Sequence, residues 1–119
     1  MKEFPNFDYN GVSYDLNFYD DTVKLYAVKN VYSGMLVSQI IPAANDFIAM
    51  QGFANMLSKQ KTEGSQEIFQ LLCLGTFNHI KIDIVDTEHQ IVFDSRNDIA
   101  KWMEDAKTFM LSWSDGEEV

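Results

Sequence analysis

The residues on either side of Asn10-Gly11 show the clearest strand pattern in the chain. Apolar and polar residues alternate there, and Asn-Gly is the preferred two-residue loop of a type I′ hairpin. Pairing Tyr9 with Val12 gives a register in which every second residue shares a face. One face then carries Phe7, Tyr9, Val12, Tyr14, Leu16 and Phe18, and the other carries Asp8, Ser13, Asp15 and Asn17. The pattern predicts a β-hairpin with one buried face.

The segment 23–28 also alternates, after a polar turn at residues 19–22. It predicts a third strand that directs Val23, Leu25 and Ala27 towards the core. A short helix capped by Asp20 or Asp21 is the alternative, because aspartate is a preferred N-cap residue.

A nearly continuous apolar run, Met35–Ile41, has the length of a strand, and Pro42 is expected to end it. After Pro42 the period becomes helical, and we place a helix there that continues through Lys59. Gly52 weakens this helix by about 1 kcal/mol relative to alanine. Its apolar stripe consists of Phe47, Met50, Ala54 and Leu57.

The pattern after residue 64 predicts a short helix followed by a second hairpin. Ser65 can cap a helix that carries Ile68, Leu71 and Leu72 and ends at Gly75. Strand alternation returns at residues 80–84, with a partner strand at 90–93 across a polar turn at 86–89.

The last part of the chain predicts one long amphipathic helix. Residues 95–98 resemble a capping box in which Asp98 replaces the usual glutamate. The broad apolar stripe that follows consists of Ile99, Trp102, Met103, Ala106, Phe109, Met110 and Trp113. Taken together, the elements predict a single α+β domain over residues 1–119 with a short flexible acidic tail at about 114–119. We expect an antiparallel sheet of about four to six strands, with two or more hairpins, packed on one face by two or three helices.

Composition supports a folded domain. The chain has 119 residues, of which 46% are hydrophobic and 13% aromatic, well above the content of a disordered acidic protein. One cysteine, Cys73, excludes an intrachain disulfide and fits a reducing cytoplasmic compartment. The N-terminus lacks the apolar stretch of a signal peptide, and no segment is apolar enough to span a membrane. We therefore expect neither a signal peptide nor a transmembrane segment.

No residue pattern indicates catalysis. Neither His79, at the entry to a predicted strand, nor His89, in a predicted turn, belongs to a motif with a nucleophile, and Cys73 lies in an apolar stretch typical of a buried, unreactive thiol. The acids at residues 15–21 lack the spacing of a calcium loop, and the six glycines form no phosphate-binding motif. We therefore expect a protein that is not an enzyme and that uses neither a cofactor nor a metal.

Charge is distributed unevenly along the chain. The net charge is −9, and residues 82–119 contribute −7 of it, with ten acids and three bases. Such a surface repels nucleic acids and anionic membranes. It favours either solubility alone or encounter with a basic protein. All five tyrosines lie in the first 32 residues; sheet packing explains most of them, but Tyr19 and Tyr32 fall in predicted turns and suit an exposed contact surface.

Two functional hypotheses follow. The first is a non-enzymatic acidic protein-binding module that inhibits or neutralises a basic partner protein, for example a nucleic-acid-binding one. Nuclease and toxin inhibitors, immunity proteins and nucleic-acid mimics, including those of phages and mobile elements, share this profile. The predicted contact residues are Asp83, Asp86, Glu88, Asp94, Asp98, Glu104, Asp105, Tyr19 and Tyr32.

The second hypothesis is a small structural or assembly protein, such as a virion, tail or chaperone-like component, that self-associates into a homo-oligomer. The hairpin at residues 7–18 or the helix at residues 102–113 would then be shared between subunits.

Overall fold

The computed structural model of the protein describes residues 4–59 and 67–117, with no account of the side chains of residues 114–117. In chain order the elements of these residues are β1 (Phe7–Tyr9), β2 (Val12–Tyr14), β3 (Thr22–Asn30), β4 (Ile41–Ala43), α1 (Asp46–Lys59), β5 (Phe69–Asn78), β6 (Asp83–Asp94) and α2 (Ile99–Glu117). β1 and β2 form a two-stranded sheet, and the other strands form an antiparallel sheet in the order β4-β3-β5-β6. The predicted α+β class is confirmed.

The first hairpin has the predicted register. Phe7 pairs with Tyr14 and Tyr9 pairs with Val12. Asn10 and Gly11 have φ angles of 51° and 81°, as a type I′ loop requires. The apolar face continues past β2 only as far as Leu16, which is fully buried, whereas Phe18 is exposed against expectation.

One apolar core joins the hairpin, the four-stranded sheet and both helices. Its largest fully buried side chains include Trp102 of α2, Tyr14 of β2 and Phe53 of α1. The Trp102 ring lies 4.9 Å from that of Tyr14 and 5.9 Å from that of Phe7, measured between centroids. These aromatic contacts pack the hairpin against α2.

The strand β3 presents the opposite face from the predicted one. Tyr26 and Val28 belong to the core cluster, whereas Val23 and Leu25 lie outside it; Ala27 is fully buried, as predicted, but is not part of that cluster. The reason is a buried polar contact, because the Tyr26 hydroxyl donates a hydrogen bond to the carboxylate of Asp46 at the start of α1. The alternative of a short helix in this segment is also wrong.

The predicted strand Met35–Ile41 is wrong for most of its length. Leu36 forms an isolated bridge with Lys29, and β4 begins only at Ile41. Pro42 lies inside β4 instead of ending a strand. Proline is tolerated there because β4 is an edge strand, where a ladder hydrogen bond from the backbone nitrogen is not required.

The predicted helix over residues 68–72 is a strand. β5 pairs with β3 from Asn30–Phe69 to Thr22–Asn78, and Ser65 lies outside the described residues. The predicted turn at 86–89 is also wrong, since the chain reverses at residues 79–82. There the side-chain oxygen of Asn78 accepts hydrogen bonds from the backbone N–H groups of Ile80 and Lys81 at 3.0 and 2.9 Å.

Both predicted amphipathic helices are present, and the cap of α2 differs from the predicted capping box. Asn45 caps α1 by accepting a hydrogen bond from the Ile48 N–H at 3.0 Å. Asp98 caps α2 and accepts from the Lys101 N–H at 3.1 Å, while Ser95 accepts from the Phe69 N–H instead of forming a capping box. Residues 114–117 of the predicted tail are helical, and residues 118 and 119 lie outside the described residues. Neither helix in the described ranges is long and apolar enough to cross a bilayer.

Gly75 provides a test of the central sheet. A Cβ at this position would collide with the carbonyl oxygen of Val85 on the neighbouring strand β6. We expect Gly75→Ala to lower the free energy of unfolding by about 1–3 kcal/mol, as overpacking does. Denaturant titration followed by circular dichroism measures the change.

Gly52→Ala is the matched control, because a Cβ at this exposed position of α1 meets nothing within 4 Å. It should raise the free energy of unfolding by about 0.5–1 kcal/mol through helix propensity. Equal changes in the free energy of unfolding for Gly75→Ala and Gly52→Ala would contradict the close approach of β5 and β6.

Candidate functional site

A pocket of about 80 Å³, lined mainly by the first hairpin and β6, is small beside the roughly 300–1,000 Å³ of ordinary ligand sites. Within the described ranges, no group of three or more histidine, cysteine, aspartate or glutamate side chains is placed to hold a metal. The remaining candidate sites are buried polar groups and exposed surfaces.

The residues considered for catalysis lie on different elements. His79 is in the β5–β6 turn, where its backbone N–H donates to the Asp21 carbonyl at 3.0 Å. His89 is exposed on β6 and not in a turn. Cys73 is half-buried on β5 instead of on a helix, and burial raises the pKa of its thiol, which favours the unreactive protonated form.

The most connected polar group is the buried carboxylate of Asp46. It accepts hydrogen bonds from the Tyr26 hydroxyl and, at 2.6 Å, from the backbone N–H of Asp15, and the ammonium of Lys24 lies 3.4 Å away. The Asp46 backbone N–H in turn donates to the Asp15 carbonyl at 3.1 Å. Every contact joins separate elements of the fold, so we interpret this cluster as structural.

Burial raises the pKa of both core tyrosines, Tyr26 and Tyr14, well above the ordinary value of 10.0, and the Asp46 carboxylate raises both further. Above pH 10 the unfolded chain therefore loses protons that the native protein keeps, so the free energy of unfolding falls as pH rises.

We expect the free energy of unfolding to fall with a slope of about 1.4 kcal/mol per pH unit from each tyrosine. Urea titrations between about pH 8 and 11 test this, and Tyr26→Phe should reduce the slope. A slope that is the same in Tyr26→Phe as in the unsubstituted protein would contradict the assignment of this pH dependence to Tyr26.

Three of the predicted contact residues lie together. Asp83, Asp86 and Glu88 are all exposed on β6, which is an edge strand of the sheet. Two others have structural partners. Asp94 pairs with Arg96 at 2.6 Å, which holds the pKa of its carboxyl below the usual range, and Asp98 caps α2.

The remaining predicted residues are spread over other elements. Glu104 is exposed and Asp105 half-buried on α2. The Tyr19 hydroxyl donates to Asp15 at 2.8 Å, and Tyr32 is 67% exposed in the loop after β3. The predicted set therefore contains three exposed positions on one edge strand, β6, and several dispersed positions.

Apolar side chains surround the β6 carboxylates, which the charge pattern alone did not indicate. We define the acidic arm as residues 79–88, all of which are exposed. Its exposed apolar residues are Ile80, Ile82, Ile84 and Val85. Ile82 is 80% exposed and has a φ of 53°, a left-handed conformation that is unusual for a β-branched residue.

A second apolar surface lies on the four-stranded sheet, on the side away from the core. We call it the outer face; it consists of Val23, Leu25, Ala27, Leu72, Phe77, Ile84 and Ile91. Paired residues on adjacent strands form its rows, such as Val23–Phe77–Ile84. Ala27 is fully buried, and the other six side chains are partly or largely exposed and do not pack against the core cluster. For β3, the alternation of apolar and polar residues in the sequence reveals this apolar row, but it predicts that the row faces the core.

Comparison of the chain with known protein families, with curated proteins and with solved structures gives no match in any of the three.

Proposed function

We propose that the protein is a non-enzymatic protein-binding module whose acidic arm docks on a basic partner protein. By occupying the basic surface, it would inhibit or neutralise that partner. The observation that carries the proposal is Ile82, an isoleucine that is 80% exposed in a left-handed backbone conformation, immediately beside the carboxylate of Asp83.

Ile82 lowers the stability of the isolated protein. A left-handed conformation costs an L-residue roughly 1–2 kcal/mol, and an exposed side chain recovers almost none of this through burial. Asparagine or glycine would occupy the position at lower cost. When a partner buries the isoleucine side chain, that side chain contributes to the free energy of binding, since apolar anchors contribute most when they are fully desolvated at the centre of an interface.

The charges around Ile82 favour a basic partner. Asp83, Asp86 and Glu88 are exposed, and no ion pair between described residues involves them. Carboxylates at the rim of an apolar contact attract lysine and arginine, accelerate association and disfavour acidic partners. Residues 79–88 carry these three acids and one base, Lys81, so the apolar centre has a rim that is negative in sum and complementary to an apolar pocket surrounded mainly by basic residues.

Capture of a partner tests the proposal. The full chain is immobilised and incubated with a lysate of its source cells at about 0.05 M salt, and the proteins released by a wash at about 0.5 M salt are identified. We expect a basic protein whose binding weakens steeply with salt, because the Debye length shortens from roughly 14 to 4 Å. Binding of the purified partner that does not depend on salt would contradict the electrostatic argument.

Paired charge variants locate the contact. Asp83→Asn with Asp86→Asn should weaken binding of the captured partner by at least about ten-fold, which corresponds to 1.4 kcal/mol. Asp8→Asn with Asp20→Asn removes the same charge from exposed positions elsewhere and should change the affinity by less than about two-fold. Calorimetry measures both, and equal losses would assign the effect to net charge instead of the arm.

Ile82→Asn separates binding from stability. We expect the free energy of unfolding to rise by about 1 kcal/mol, because asparagine tolerates the left-handed conformation, while partner binding falls by at least about ten-fold. Leu111→Asn, at a 66% exposed position of α2, is the control and should leave binding unchanged. A variant at Ile82 that retains full affinity would exclude this residue as the anchor.

A further inference from the structure

The two edges of the four-stranded sheet differ in how they are protected against pairing with another strand. At one edge, β4 is only three residues long and contains Pro42, which has no backbone N–H to donate. At the other edge, β6 has twelve residues and contains neither proline nor lysine. Within residues 4–59 and 67–117, no strand pairs with the outer side of β6. This edge therefore lacks the usual obstacles to an added strand.

The first part of β6 is open on its two faces as well as at its edge. Every residue from 83 to 91 is exposed, although the strand is paired with β5 on its other side. In an antiparallel strand, every second residue directs its N–H and C=O groups away from the neighbouring strand. These groups form the row of donors and acceptors with which an extended segment of another protein can pair.

The pairing of β6 with β5 limits the length of this open edge. Residues 83–86 pair with β5 in regular succession, and the next paired residue of β6 is Gln90. The three residues between them, 87–89, lie opposite a single residue of β5 and form a bulge. Because a bulge bends the strand and interrupts the ladder, an added strand pairs in register only up to residue 86. We define the docking edge as residues 83–86.

The side chains of the docking edge determine which strand fits it. Directly opposed residues of neighbouring strands stabilise the pair when their charges are opposite and destabilise it when their charges are alike. Asp83 and Asp86 therefore favour lysine or arginine opposite them. Ile84 and Val85, which are 62% and 53% exposed, favour apolar residues. The complementary strand has the pattern basic, apolar, apolar, basic, which is the same in both chain directions.

The same charges disfavour a second copy of this chain at the docking edge. When two docking edges pair antiparallel, Asp83 of each copy lies opposite Asp86 of the other. A shift in register brings no opposite charge into contact, because β6 contains four acids and no lysine or arginine. The carboxylates thus protect the edge against self-association and leave it open to a basic strand.

We propose that the docking edge binds a basic protein by strand addition. An extended segment of that protein, with the pattern basic, apolar, apolar, basic, becomes a fifth strand of the sheet beside β6. Its main-chain hydrogen bonds to β6 contribute affinity, and the four side chains of the docking edge provide specificity. This inference rests on the proposed function and adds the chemical pattern by which the basic partner is recognised.

A synthetic peptide tests the recognition pattern. The acetylated and amidated peptide Thr-Lys-Val-Ile-Lys-Thr is titrated into the full chain at about 0.05 M salt and followed by NMR. We expect a dissociation constant below about 1 mM, together with slower hydrogen exchange of those backbone N–H groups in residues 83–86 that point away from β5. The control peptide Thr-Val-Lys-Lys-Ile-Thr has the same composition and charge, and it should bind at least about ten-fold more weakly.

N-methylation of the peptide tests the main-chain hydrogen bonds. One peptide carries N-methyl groups on the first lysine and the isoleucine, and a second peptide carries them on the valine and the second lysine. Only one of these alternate sets can donate to β6. One N-methylated peptide should therefore bind at least about ten-fold more weakly than the parent, and the other should bind within about three-fold of it. Equal affinities of the two N-methylated peptides would overturn strand addition.

Charge variants place the peptide on the docking edge. Asp83→Asn with Asp86→Asn should weaken peptide binding by at least about ten-fold, whereas Asp8→Asn with Asp20→Asn should change it by less than about two-fold. Equal effects of the two double variants would place the peptide elsewhere and overturn the proposal.

The outcomes separate strand addition from the proposed function. A peptide that does not bind at about 1 mM, or that binds no better than the control peptide, would overturn strand addition, even where a basic protein is captured from the lysate. A dimer of the chain that forms through β6 would overturn it equally. Failure to capture any basic protein would instead contradict the proposed function, even where the peptide binds.

Discussion

The hydrogen bond between Tyr26 and the buried carboxylate of Asp46 determines the arrangement of the whole sheet. A buried carboxylate requires partners, and Asp46 obtains them from β3, from the loop after β2 and from Lys24. Because side chains alternate along a strand, placing Tyr26 in the core also turns Val28 inward and directs Val23 and Leu25 outward. One polar contact thus leaves the more apolar side of β3 on the outside of the protein.

This contact also explains which parts of the fold the sequence predicts. The first hairpin and both helices are determined locally, by Asn10-Gly11 and by apolar periods of helical length, and their positions are close to the predicted ones. The face of β3 depends on Asp46, which lies 20 residues away from Tyr26. Hydrophobic alternation gives no information about such a distant partner, so the more apolar face was assigned to the core.

The errors in β5 and β6 have a related cause. The apolar residues at 68, 71, 72 and 74 fit both a helical and a strand period, and only pairing with β3 and β6 decides between them. At the other end of β5, Asn78 forms the turn through its side chain, a signal weaker than the run of polar residues at 86–89. For the candidate site, the charge pattern points to Asp83, Asp86 and Glu88, which are exposed on β6, but no sequence pattern indicates the left-handed backbone of Ile82.

The pairing of β3 with β5 has a consequence for the newly made chain. β3 ends at Asn30 and its partner begins at Phe69, with α1 between them, so the central contact of the sheet closes a long loop. At about 5–20 residues per second, translation of the intervening segment takes roughly 2 to 8 seconds. During that interval β3 lacks its partner β5, and Asp46 is present for only part of the time. Until both are made, β3 exposes apolar residues on both faces. The nascent chain is thus most prone to aggregation before β5 is synthesised, and a chaperone that binds extended apolar segments would find its main target in β3.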